Sequence, residues 1–224
     1  MKDNPLIQSA LAATLLGVVS HCSAADGTLE AAISSIYVDR GLEMADLTWH
    51  PSLELSQGNV YGGLWAALPL ENRSRPETIG DQYDVYAGYG WAAGDKLAID
   101  LGGTLSFTDG FDETFEGYVG LVGEFGTFSP SIYIYNDFDL DAFTVEASTS
   151  VAVPLDVFPF QATIRAGLVE ADVDYRYYGL DLLYPVELGP SSRLLLGLHY
   201  SDNDFGAGMP DNSLYGSAAV RLRF

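Results

Sequence analysis

The chain has 224 residues, with 31 Asp or Glu against 10 Lys or Arg, a formal net charge of −21. That charge excludes nucleic acid and an anionic membrane surface as electrostatic partners, and favours cations or a strongly hydrated face. With 24 Gly, 14 Tyr and 11 Phe, the composition suits one domain of curved strands; long helices would need more Ala, Leu, Glu and Lys.

Residues 1–25 read as a signal peptide. Lys2 gives a basic start, Leu6 to Val19 is mostly apolar, and Ser23-Ala24-Ala25 offers a small-x-small cleavage site. The stretch is too short to span a bilayer, which needs ~20 apolar residues. Cys22 is the only cysteine, and His21 before it fits a lipobox poorly. The mature chain, 26–224, therefore has no disulfide framework and no thiol chemistry. No later apolar run approaches ~20 residues, so the membrane-spanning solution open to this chain is a closed barrel that pairs every backbone polar group.

Alternation between turn signals predicts twelve strands. In chain order they are Leu29–Val38, Leu47–Ser56, Val60–Leu70, Gln82–Ala92, Lys96–Phe107, Glu113–Phe125, Ser131–Asp137, Ala142–Val153, Phe160–Val169, Tyr177–Val186, Ser192–Ser201 and Leu214–Phe224. In the fifth, Leu97, Ile99, Leu101, Leu105 and Phe107 share one face and Asp100, Gly102, Thr104 and Ser106 the other. The sixth and eleventh alternate as cleanly. A soluble sandwich alternates too, but Gly on both faces would waste its core volume. The expected fold is all-β, a transmembrane antiparallel up-and-down barrel of about twelve strands.

The connectors sort into two classes. Five short ones (57–59, 93–95, 126–130, 154–159 and 188–191) would be periplasmic turns, with both termini in the periplasm. Six others (39–46, 71–81, 108–112, 138–141, 170–176 and 202–213) are longer on average and crowded with carboxylates. Short periplasmic turns and long external loops are the asymmetry such barrels show. The last strand alternates up to Phe224, a C-terminal aromatic that would face lipid and carry an assembly signal for the outer-membrane insertion machinery. Tyr83, Tyr89, Trp91, Phe107, Phe115, Phe125, Tyr178, Tyr184 and Tyr200 fall near strand ends on the outward face, as interfacial girdles do.

Three stretches resemble the TorF-type porin family of proteobacterial outer-membrane proteins. Tyr37-Val38-Asp39-Arg40-Gly41 resembles its N-terminal Tyr-Val-aromatic-Arg-Gly signature, with Asp39 in the aromatic's place. Asn59-Val60-Tyr61-Gly62-Gly63-Leu64-Trp65 with Asp84-Val85-Tyr86-Ala87-Gly88-Tyr89 resembles its third and fourth strands. Leu196-Gly197-Leu198-His199-Tyr200-Ser201-Asp202 resembles its late Leu-Gly-x-x-Tyr-Ser-Asp segment. The resemblance implies an outer-membrane barrel with channel function and supplies no catalytic residues.

By alternation, Glu54, Asp84, Asp100, Glu116, Glu124, Glu146 and Asp181 face the lumen, with Arg165, Arg193, Arg221 and Arg223. Hairpin register places Asp84 and Glu116 on either side of Thr104 near the external end, with the arginines in the periplasmic halves. Two readings stand open. One is a pore, acidic at its mouth and basic below, that selects small polar or charged solutes. The other is a narrow lumen plugged by cross-strand pairs, Glu146 with Arg165 among them, acting as a structural or adhesive barrel. Asp137-x-Asp139-x-Asp141 and Glu170-x-Asp172-x-Asp174 place alternate carboxylates in two loops on one side. Ala142 and Ser148 break an EF-hand pattern there, and a solvated rim bridged to lipopolysaccharide by divalent ions is the plainer reading. His199-x-Ser201 puts an imidazole and a hydroxyl on one strand face, about 7 Å apart at the backbone. A Ser nucleophile needs such a base, as in short outer-membrane lipid A deacylases, but both residues face the lumen rather than lipid. His50 is the only other mature His, which leaves no multi-His metal site. The expectation is a non-enzymatic outer-membrane channel of a Gram-negative bacterium. It would use no cofactor or metal, and its partners would be lipid, lipopolysaccharide and small solutes.

Overall fold

The computed structural model describes residues 25–71, 79–153, 159–206 and 208–224. The predicted leader falls outside them except for Ala25. The strands are β1 (Asp26–Ser34), β2 (Tyr37–Asp39), β3 (Leu42–Ala45), β4 (Thr48–Gln57), β5 (Val60–Pro69), β6 (Gln82–Ala92), β7 (Leu97–Thr108), β8 (Thr114–Gly123), β9 (Phe128–Asp137), β10 (Ala142–Val153), β11 (Phe160–Glu170), β12 (Tyr175–Gly189), β13 (Ser192–Asn203) and β14 (Asn212–Arg223). All but β2 and β3 close into one barrel, in the order β1-β14-β13-β12-β11-β10-β9-β8-β7-β6-β5-β4 and back to β1. Consecutive barrel strands pair antiparallel, and β1 closes the ring by pairing with both β14 and β4. The closing rung is made by the last residue. Gly27 and Phe224 exchange backbone hydrogen bonds of 2.8 and 3.0 Å, and the Phe224 ring lies over Gly27, where a Cβ would collide with it.

Every barrel strand overlaps one predicted segment, with ends shifted by a few residues, and two of the shifts have clear physical causes. The first strand stops at Ser34 rather than Val38. Residues 37–45 leave the wall as a small hairpin of their own, β2 with β3. Its two-residue loop, Arg40-Gly41, has φ of 43° and 87°, the positive pair that a type I′ turn demands. The seventh strand begins at Phe128 rather than Ser131 and so contains Pro130. Proline removes a ladder donor and normally ends a strand reading. Here Ala152 N–H donates to Thr127 O, which sets the alternation so that Pro130 turns its nitrogen toward β8. The β8 ladder breaks after Val122↔Ser131 and resumes at the single bridge Phe125↔Phe128, so the proline sits in the gap between them.

The two faces are inverted relative to a soluble protein. Leu101, Val119, Ile132, Leu168 and Leu198 lie on the outer wall, and Ile164 is 59% exposed. The most buried large side chains are Tyr177, Thr48 and Thr144. An apolar wall of this extent is costly in water, at about 25 cal/mol per Å², and is the band a lipid-facing barrel carries.

The inward glycines have a specific use. Tyr61 sits opposite Gly88 and Tyr86 opposite Gly63, Tyr118 opposite Gly102, Tyr133 opposite Gly120 and Tyr177 opposite Gly167. At each of these glycines a Cβ would run into the tyrosine ring across the rung. The rings therefore lie flat along the lumen wall, each covering the backbone of its neighbour. Glycine on the inner face wastes no volume; it makes room for an aromatic.

The start of β1, the end of β14 and the described short turns share one rim, the turn end. The opposite rim, the loop end, carries the connections 35–47, 70–81, 109–113, 138–141, 171–174 and 204–211.

Candidate channel lumen

The β2–β3 hairpin crosses the lumen at the loop end. Its tip reaches one wall, where Arg40 Nη2 donates to Glu116 Oε2 at 2.5 Å and the guanidinium lies 4.9 Å from the centre of the Tyr135 ring. Toward the other wall, Asn203 Nδ2 donates to Gly41 O at 2.9 Å. Ser213 Oγ donates to Glu43 Oε1 at 2.6 Å, and Gly41 packs on Tyr177. At its base Tyr37 touches His50 and Trp65, with ring centres 5.2 and 5.7 Å away. β8 and β13 lie five strands apart in the ring of twelve, so the hairpin is a crossbar between nearly opposite walls. Burial works against the Arg40 charge, but Asp39 and Glu116 outweigh it and hold its pKa above the ordinary arginine value.

Beside the crossbar lies a cavity of about 910 Å³. Its lining includes Tyr37, Asp39, Arg40, Trp65, Gln82, Asp84, Thr104, Ser106, Asp112, Glu113, Glu116, Asp137 and Asp139. Acids dominate, and Arg40 is the single Lys or Arg among the described residues that line it. Asp84 accepts from Gln82 Nε2 at 3.0 Å and sits opposite Ser106. Glu116 sits opposite Thr104, so the two acids are offset by a step rather than flanking Thr104 as the sequence predicts. Across the next rung Glu116 faces Asp137 directly. Like charges so placed repel, and the Arg40 guanidinium relieves that.

Deeper in, carboxylates and tyrosines share protons. Asp100 accepts from Tyr61 at 2.7 Å and Tyr133 at 2.9 Å. Tyr61 and Tyr118 hydroxyls meet at 2.6 Å. Glu54 accepts from Tyr86 at 3.1 Å, and Glu146 from Tyr177 at 2.6 Å. Aromatic faces line the wall between these acids.

On the far side, Arg165 donates to Asp181. The predicted Glu146–Arg165 pair is replaced: their rungs are diagonal as expected, but Arg165 turns to β12 and Tyr177 takes Glu146. Both Arg165 and Asp181 sit midway along their strands, so Arg165 does not fall in the turn-end half. Asp181 also accepts from His199 Nδ1 at 2.7 Å, and His199 Nε2 lies 2.8 Å from Ser217 Oγ. The hydroxyl next to the imidazole is thus Ser217 on β14, across the strand pair, and not Ser201 two residues along β13. Tyr215 stacks on the imidazole at 4.8 Å. At the turn end Arg193 pairs with Glu187 at 2.7 Å and Arg221 with Glu30 at 2.6 Å. Sequence reasoning missed both acids. Glu30 is opposite Arg221 once β1 is known to pair with β14, and that pairing joins the two ends of the chain.

The acidic loops cap themselves. Asp137 Oδ1 accepts from the N–H groups of Asp139 and Leu140, Asp139 Oδ2 from Phe115 N–H at 2.7 Å, and Asp174 Oδ1 from Ala171 N–H. Among the described residues no three His, Cys, Asp or Glu side chains converge on a common metal position.

No protein-family model matches the chain, and no curated protein matches it by sequence. The barrel does resemble solved structures. It aligns with the KdgM porin at a TM-score of 0.61 and 10% identity, covering 88% of this chain and 99% of that one. It aligns with the NanC porin at 0.58 and 13% identity, covering 88% and 98%. An outer-membrane channel from Pseudomonas putida F1 aligns at 0.57 and 7% identity, covering 89% and 95%. The TorF-type family is not among these matches, and at such identities the likeness is one of fold. The chain has the closed-barrel fold found in outer-membrane porins.

Proposed function

We propose that the protein is a channel of the Gram-negative outer membrane through which small polar solutes diffuse, with a preference for cations. The observation that carries this reading is the acidic cavity at the loop end, with tyrosines and carboxylates on the barrel's inner wall deeper in. The apolar outer wall and the shared porin fold support the compartment. The leader predicted from the sequence would carry export, the Phe224 seam would serve delivery to the insertion machinery, and lipid and lipopolysaccharide would cover the wall and the acidic rim. One neighbour was solved as a complex of KdgM porin with oligogalacturonate, a polyanion. The acidic mouth here suits the opposite charge. Selection is electrostatic: cations concentrate at the mouth, pass aromatic faces, and leave past arginines whose charge Glu187 and Glu30 balance. Purified protein reconstituted in planar bilayers should give discrete conductance steps. Their absence would return the protein to the plugged, adhesive reading.

A second reading has one observation in its favour. Ser217, His199 and Asp181 stand in the order nucleophile, base and orienting acid at hydrogen-bond distances. They face the lumen, so the substrate would be a small diffusible ester rather than a lipid. Arg165 on Asp181 and Tyr215 on the imidazole equally fit a structural ladder. A fluorophosphonate probe decides between them. Labelling lost in Ser217→Ala would establish the hydrolase, and no labelling of the wild type removes it.

A further inference from the structure

We propose that Arg40 is an intramolecular stand-in for the solute, filling a site that binds small cations bearing a guanidinium group. The inference rests on the channel reading and names the solute class. The site is already occupied by the chemistry it would recognise. Glu116 takes the guanidinium at 2.5 Å and the Tyr135 ring lies at cation–π distance beneath it. Tyr135 stacks on Tyr133 at 5.7 Å, so the aromatic surface continues into the barrel. Without a cation, Glu116 would face Asp137 with only the backbone N–H groups of Asp139 and Leu140 on the latter to offset the repulsion.

The occupant is not part of the wall. It rides on a hairpin of three rungs that pairs with no barrel strand. Arg40 holds a positive φ of 43°, a conformation a non-glycine residue adopts reluctantly. It also borders the cavity of about 910 Å³, from which a diffusing cation reaches Glu116 directly. An incoming guanidinium replaces the Arg40 side chain bond for bond, while Asn203 keeps its hold on Gly41. An ammonium lacks the planar fork that spans carboxylate and ring together, and competes less well.

The test is titration calorimetry of the detergent-solubilised full chain with agmatine, run beside bilayer recordings. A latch closed in about nine of ten molecules costs a competitor about tenfold in apparent affinity. Arg40→Ala should therefore bind agmatine about tenfold more tightly than wild type. Arg40→Lys should fall between the two, and Glu116→Gln should weaken binding by at least about tenfold. Heat-modifiable gel migration confirms that each variant is a folded barrel. Arg40→Ala binding no better than wild type, or Glu116→Gln binding as well, overturns the proposal. Agmatine binding that responds to Arg40 in a protein that passes no current upholds the site and removes the channel reading. Conductance steps with agmatine binding indifferent to Arg40 do the reverse.

Discussion

Gly120→Ala tests the idea that inward glycines exist to seat tyrosines. A Cβ at Gly120 meets the Tyr133 ring, whereas at Gly90, also in a lumen strand, it meets nothing within 4 Å. In open space Gly→Ala stabilises by ~0.4–1 kcal/mol through the unfolded chain. At Gly120 the ring must lift from the wall, and overpacking of this kind costs ~1–3 kcal/mol. Lifting also breaks the 2.9 Å bond from Tyr133 to Asp100, and a hydrogen bond to a charged group contributes ~1.5–3 kcal/mol. Because the Tyr133–Asp100 bond is only partly buried, the net loss should fall near ~2–4 kcal/mol. Urea unfolding of the barrel in detergent measures it, with Gly90→Ala as control. In a Tyr133→Ala background there is no ring to lift, so Gly120→Ala should cost under ~1 kcal/mol, and the cycle isolates the coupling. If Gly120→Ala and Gly90→Ala agree within ~0.5 kcal/mol in the parent, the seating argument is wrong.

Three further outcomes are expected. Replacing Asp84 with Asn and Glu116 with Gln together should shift the reversal potential toward anions, and an unchanged potential would move selectivity away from the mouth. Replacing residues 37–45 by a Gly-Ser linker should raise single-channel conductance, because the crossbar is then gone; equal conductance would mean the hairpin does not narrow the path. Arg165→Met should destabilise the barrel by ~1–3 kcal/mol, since it strips Asp181 of one of its two cationic or donor partners while leaving the carboxylate buried. Urea unfolding checks this, and a variant as stable as the parent would show that His199 alone suffices.

The barrel was legible in the sequence because its signal is local. Alternation within Leu97–Thr108 or Thr114–Gly123 assigns faces without knowledge of any partner, and two-residue turns such as Gly58-Asn59 mark the boundaries. What escaped depends on contacts distant in the chain. The β2–β3 hairpin carries a turn signal in Arg40-Gly41, yet Leu29–Val38 reads as one continuous strand, and nothing local says that the chain leaves the wall at Ser34. The Arg221–Glu30 pair joins residues 191 positions apart and becomes visible only when the ring closes. The Tyr–Gly rungs were half visible: both residue types were on the page, but that they face each other is a matter of register. His199 shows the same limit. A same-strand partner, Ser201, is what a linear motif suggests, while the ladder supplies Ser217.

The central claim is a cation-preferring pore, and the sign of the reversal potential across a tenfold KCl gradient tests it most directly. Purified full-length protein in a neutral-lipid bilayer should give steps whose reversal potential has the sign of potassium selectivity. Steps selective for chloride, or a bilayer that stays silent, would contradict it.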